Sequence, residues 1–200
     1  KLADNDSVSG IVVQLPLPKN FNYQEILNLI PVKKDVDMLS ELSFQNFSDG
    51  KSNIFPPVVG AVKYIFAENK IGIKNKKIVL IGKGRLVGKP LSVWLTNNKS
   101  DFYIVDRKTE NPAVFTKEAD IIISGVGSSC LIKEEMVKDG VVLIDAGSAS
   151  EEGEVKGDID KKAYKKASFV APVPNGVGPI TVACLIDNLL EICYHYKWKG

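Results

Sequence analysis

Two hundred residues, 44% hydrophobic and 25% charged, suffice for one large or two small domains with a real core, and a net charge of +2 with scattered lysines gives no reason to expect a nucleic-acid footprint. Cys130, Cys184 and Cys193 lack metal-ligand spacing and His195 is the single histidine, so no metal site is expected and the thiols read as reduced, in a cytoplasm. No apolar run is expected to span a bilayer, the first residues resemble no signal or transit peptide, and the start at Lys rather than Met reads as processing or a fragment.

Residues 10–15, Gly-Ile-Val-Val-Gln-Leu, read as a buried strand closed by Pro16 and Pro18, neither of which continues a central ladder. Gln14 is out of place there. Burying an amide without partners costs about 1–3 kcal/mol, so it either points into a cleft at the strand end or bonds to a neighbouring loop. Residues 22–30 have helical spacing, which Pro31 ends. Lys34-Asp35-Val36-Asp37 falls in a loop and, taken by itself, is a solvated charged turn. From 39 to 53 the chain turns polar and Ser/Asn-rich, which is linker chemistry. Phe55-Pro56-Pro57 stiffens its end, and Val58, Val59, Val62, Ile65 and Phe66 then form a helical stripe, where the first domain boundary is placed.

Residues 78–81, 102–105, 121–124, 141–144 and 169–171 predict the strands of an α/β domain with a doubly wound parallel sheet, with helices between the first four. The first strand stops at Gly82. Gly82, Gly84 and Gly88, spaced Gly-x-Gly-x-x-x-Gly, are one residue longer than the common dinucleotide fingerprint and lead into helical spacing from Leu86 to Leu95. A helix start of this kind offers amides and a positive dipole end to a pyrophosphate, although a glycine triplet alone also fits a tight turn without a ligand. Asp106 ends the next strand where an acidic residue receives the adenosine ribose, and Ser124 with Gly125 and Gly127, then Asp145 with Gly147, end the two after it. These ends converge on one crevice. The stiff segment 172–179 carries glycines suited to close backbone approach, and 180–193 reads as a long apolar helix with Thr181 near its start.

Gln14-Leu15-Pro16-Leu17-Pro18, Lys34-Asp35-Val36-Asp37, the 82–90 loop and the 172–181 segment, in that order, resemble the bifunctional methylenetetrahydrofolate dehydrogenase/cyclohydrolase, or FolD, family. The resemblance implies a folate-binding catalytic domain over 1–57, with a helix over 180–196 packing back on it, and a Rossmann-like NAD(P)-binding domain over 58–179 that pairs into a homodimer. It implies oxidation of 5,10-methylenetetrahydrofolate by hydride transfer to NADP, then hydrolysis of the methenyl product to 10-formyltetrahydrofolate. Carried over by motif, Gln14 holds and polarises the catalytic lysine and Asp37 binds the pterin. Leu15, Pro16, Pro174, Gly176, Gly178, Pro179 and Thr181 shape the folate pocket. Gly82, Lys83, Gly84, Arg85, Val87, Gly88, Asp106, Arg107, Gly125, Val126 and Gly127 hold the cofactor.

The chain also departs from the family pattern. No Tyr-x-x-x-Lys precedes Gln14, so the catalytic lysine is not found, much of the N-terminal half of the catalytic domain reads as absent, and the expectation is dinucleotide binding with little or no cyclohydrolase activity and dehydrogenase activity weak at best. Phe55-Pro56-Pro57-Val58-Val59-Gly60 lacks the usual threonine, and Asp106-Arg107-Lys108-Thr109 stands where His-Ser-x-Thr is usual. Lys83 and Arg107 favour a 2′-phosphate while Asp106 opposes it, so NADP is the expected cofactor and NAD the alternative. The competing functions are a non-catalytic dinucleotide-binding or dimerisation module and another dehydrogenase of the same fold, such as a shikimate-type enzyme, for which no lysine-aspartate pair is evident by motif.

Overall fold

A computed structural model describes residues 1–151 and 153–197, and the chain divides into two compact units. One comprises Lys1–Gly60 and the chain from Thr181 onward; the other is Ala61–Ile180.

In the first unit, α1 (Tyr23–Asn28) begins where the Asn22 side chain accepts from the Gln24 amide, and it buries Leu27. α2 (Glu41–Ser48) occupies the stretch expected to be a linker. Its polar composition hid two helix signals: the Ser40 hydroxyl caps the Ser43 amide at 3.2 Å, and Phe47 is buried, edge-on to both Phe44 and Phe55. The expected strand over 10–15 does not form. Its one pairing is a parallel bridge from Ile11 to Asp35, and with no second neighbour its alternate residues, Val12 at 51% exposure and Gln14, face solvent. The Gln14 amide donates to its own neighbour, the Leu15 carbonyl.

The charged turn is not solvated either. Lys34 and Asp35 are buried. Lys34 Nζ donates to the carbonyls of Ala3 and Asn5 at 2.7 and 2.8 Å, and the Asp35 carboxylate accepts from the Leu39 and Ser40 amides. Backbone partners thus satisfy both charges, which is what burial of a charge requires.

α3 (Pro57–Glu68) carries the chain into the second unit and α6 (Val177–Lys197) brings it back. Contrary to the expectation of no membrane-length apolar run, residues Val177–His195 of α6 are long and apolar enough to cross a bilayer. The helix is also packed within its unit: Asn188, 7% exposed, donates to the carbonyls of Val36 and Phe55, and Gly10 and Gly60 lie against Leu189 and Cys184. Val182, Ile186 and Leu190 remain more than half exposed at four-residue spacing.

The second unit is a five-stranded parallel sheet of β1 (Ile78–Ile81), β2 (Phe102–Val105), β3 (Ile121–Ser124), β4 (Val141–Asp145) and β7 (Ala167–Ala171), in the order β2-β1-β3-β4-β7. This is the doubly wound α/β arrangement expected. β1 and β3 are buried at every position because both faces of a parallel sheet are covered. One face builds a core from Val79, Ile81, Ile122, Val141 and Leu143. α4 (Gly88–Asn97) and α5 (Pro112–Thr116) fill the first two connections, but the third holds only a 3-10 turn at Glu134–Met136 in place of the expected helix. A hairpin of β5 (Ala149–Glu151) and β6 (Glu154–Lys156), not foreseen, follows β4. Successive connections leave β1 toward β2 on one side and β3 and β4 on the other, so the carboxyl ends of β1 and β3 form the switch point at which such sheets bind ligands.

Candidate functional site

β1 ends at Gly82, whose φ of +98° is one that side chains other than glycine rarely adopt and whose amide donates to the Val105 carbonyl at 2.8 Å. The turn then closes on itself. A Cβ on Gly88 would collide with the Gly82 carbonyl oxygen and sit 2.7 Å from its carbon, so α4 starts in backbone contact with the end of β1. The turn after β3 interlocks with this one: a Cβ on Gly125 would occupy the space of the Val87 side chain. No side chain caps the start of α4, whose N-cap residue is Val87; within that first turn the Lys89 amide donates to the Gly84 carbonyl at 2.8 Å.

A cavity of about 620 Å³ lies at the ends of β1, β2 and β3. Of the residues expected to hold a cofactor, Gly82, Lys83, Gly84, Asp106, Arg107, Gly125 and Val126 line it. Arg85, Val87, Gly88 and Gly127 are not in its wall; Val87 and Gly88 act behind it by holding the two turns together. Thr109, Ser128 and Met136 line the cavity and were missed. Thr109 had a legible signal, since a hydroxyl three residues after Asp106 can close a turn, and the Asp106 amide donates to Thr109 Oγ1 at 3.1 Å.

Asp106 is occupied on several sides. Lys83 Nζ lies 2.7 Å from Oδ2 and the Lys108 amide donates to Oδ1 at 2.9 Å, so the Lys83 hydrogen bond, followed by that amide, holds the carboxyl below the usual range. The cavity suits a dinucleotide on three grounds: its size, a backbone turn that excludes side chains, and cations beside Asp106.

The residues expected to touch folate fall in both units. Gln14, Leu15, Pro16, Asp37 and Thr181 belong to the first, Pro174, Gly176, Gly178 and Pro179 to the second. The Leu15–Pro16 and Val173–Pro174 peptides are cis. Gly176 is required by a tight turn, since a Cβ there would collide with the Pro172 carbonyl, whereas Gly178 faces open space. Pro179 lies in the first turn of α6, where its missing N–H costs nothing. Asp37 is half-buried, and burial first, then the Asp35 charge, pushes its carboxyl up to about 6. Among the described residues no cluster of His, Cys, Asp or Glu suits a metal ion.

Residues 56–197 match the family profile described as tetrahydrofolate dehydrogenase/cyclohydrolase, NAD(P)-binding domain, and residues 1–37 match its catalytic domain. The chain is 38% identical over 192 residues to the bifunctional protein FolD of Clostridium tetani, covering 96% of this chain and 69% of that protein, and 39% identical to that of Hydrogenobaculum, covering 95% and 69%. Among solved structures it is similar to the bifunctional FolD enzyme of Campylobacter jejuni, with a TM-score of 0.92 at 34% identity over 97% of this chain and 70% of that one. It is also similar to the Trypanosoma brucei enzyme complexed with NADP and an inhibitor, with a TM-score of 0.90 at 29% identity over 97% and 69%. The strand-turn-helix and the motifs flanking it are therefore those of a relative, and the chain belongs to the tetrahydrofolate dehydrogenase/cyclohydrolase family and carries its NAD(P)-binding domain.

Proposed function

We propose that the cavity over β1, β2 and β3 holds NADP, that Asp37 and Gln14 serve the folate, and that the chain thereby oxidises methylenetetrahydrofolate in one-carbon metabolism. The observation that carries this reading is the interlocking of the two glycine turns, which places an uncapped helix start beside a ligand-sized cavity. When bound, the nicotinamide accepts the hydride; the protein's part is to hold the donor and acceptor carbons in near-attack contact, and little acid-base help is needed. The hydrolytic step asks for a placed acid-base group. Lys34 does not supply it, because its buried Nζ is engaged by two carbonyls.

Asp37 is the group suited to the pterin. A carboxylate accepts two hydrogen bonds from an amino-pyrimidine edge, and with its pKa near 6 it is ionised at neutral pH. Asp37→Ala is expected to weaken folate binding about tenfold or more, the loss of one charge-assisted pair, and to leave NADPH binding unchanged because Asp37 belongs to the first unit and the residues lining the cofactor cavity to the second. Calorimetric titration of each ligand checks this. Lower thermal stability with untouched folate affinity would return Asp37 to a structural part.

Cofactor choice follows from the Lys83–Asp106 pair. With its charge offset by Lys83, Asp106 repels a 2′-phosphate less, and the exposed Arg107 at the cavity wall is placed to receive one. NADP should bind more tightly than NAD, and Arg107→Ala should weaken NADP about tenfold while leaving NAD unaffected. Tighter NAD binding, unchanged by the substitution, is the contrary result. Pairing of two copies through the second unit, which exposes Tyr103, Val114 and Val155, completes the reading and is checked by sedimentation; the free cysteines Cys130, Cys184 and Cys193 accord with a reducing cytoplasm.

A further inference from the structure

Asp158 is fully buried, belongs to no motif used above, and lies outside the cavity wall. Its carboxylate is nevertheless filled. Oδ2 accepts from Ser124 Oγ at 2.6 Å and from the Val126 amide at 2.7 Å, and Oδ1 accepts from the Ser128 amide at 2.8 Å. The donors are the last residue of β3 and the turn that follows, and Val126 and Ser128 line the cofactor cavity.

A second buried carboxylate fixes the segment that carries the first. Asp145, at the end of β4, accepts from the amides of Asp158 and Ile159 at 3.1 and 2.9 Å. Two glycines make room: a Cβ on Gly147 would enter the Asp158 carboxylate, and one on Gly157 would enter that of Asp145. The ends of β3 and β4 and the start of the next segment are thus built around Asp158 so that one ionic acceptor faces the turn at 125–128.

We propose that Asp158 is a positioning residue for the dinucleotide, setting the turn after β3 so that this wall of the cavity is formed before the cofactor arrives. The proposal rests on the reading of the cavity as the NAD(P) site. A carboxylate is needed because three donors converge on two acceptor oxygens; an asparagine would turn an NH2 toward at least one of them. The Val87 side chain fills the space over Gly125, so a displaced turn also disturbs the glycine turn that leads into α4.

The test titrates NADPH against the protein, D158N and S124A, and follows amide hydrogen exchange and thermal unfolding on the same samples. D158N is expected to weaken NADPH about tenfold or more, with faster exchange at Val126 and Ser128 while β1, β3 and β4 stay protected. S124A, which keeps both amide bonds to Asp158, is expected to weaken NADPH by about threefold. A merely structural Asp158 would lower the unfolding temperature and leave the affinity of the folded fraction intact, and unchanged affinity in D158N overturns the proposal. Should D158N fail to fold, S124A decides: weaker NADPH with faster exchange at Val126 supports it, and unchanged affinity overturns it. Failure of the unsubstituted protein to bind NADPH overturns the reading of the cavity and the proposal with it.

Discussion

Gly88→Ala is expected to abolish measurable dinucleotide binding, weakening NADPH by at least about a hundredfold, the loss of two or more charge-assisted hydrogen bonds to the pyrophosphate. The new Cβ would collide with the Gly82 carbonyl oxygen and lie 2.7 Å from its carbon and 3.0 Å from the Lys83 Cα, all main-chain atoms that cannot swing aside. The turn between β1 and α4 must open instead, and Val87, which packs over Gly125, moves with it. Gly72→Ala is the control, since nothing lies within 4 Å of its Cβ position and its φ is ordinary. Fluorescence titration with NADPH distinguishes the two. Binding in the Gly88 variant within tenfold of the unsubstituted protein would show that the glycine turn is not the phosphate site.

Asp145→Ala is expected to destabilise the fold most. Asp145, the last residue of β4, is shut from solvent at 0% exposure, and its carboxylate accepts from the amides of Gly147, Asp158 and Ile159 at 3.2, 3.1 and 2.9 Å. Truncation strands three buried amides, for a loss of about 3–5 kcal/mol. Burial pushes its carboxyl up to about 6 against the pull of those amides. The folded state therefore holds this proton more tightly than the unfolded state, in which the value is near 3.8. The associated stability is complete below the unfolded value and is lost as pH rises through about 6, and Asp37 behaves alike. Thermal unfolding should thus show a higher Tm at pH 5 than at pH 7, with a smaller difference in the Asp145 variant. A Tm at pH 5 equal to or below that at pH 7 contradicts the assignment.

The parallel sheet of the second unit was legible because its central strands β1, β3 and β4 are continuous apolar runs ending at a small or polar residue, the pattern of strands covered on both faces. The first unit was not. Residues 10–15 have the composition of a strand but lack the partners that make one, and α2 has the composition of a linker but is held by Ser40 and Phe47. Pairing and aromatic packing are properties of the fold, not of the segment. The same division runs through the site. Gly82, Asp106 and Gly125 could be found by spacing and Lys83 by the family resemblance, whereas Ser128 and Met136 reach the cavity wall, and Asp158 supports it from behind, without any periodic signal. The burial of Lys34 and Asp35 was hidden for the same reason: their partners are backbone carbonyls and amides, which carry no mark in the sequence.

NADPH titration of isotope-labelled protein, read amide by amide, decides whether the carboxyl ends of β1, β2 and β3 hold the dinucleotide. Saturable binding is expected, with the largest shifts at residues 82–88, 106–109 and 125–128, whose turns form or support the cavity wall. No saturable binding, or shifts concentrated away from these three turns, would contradict it.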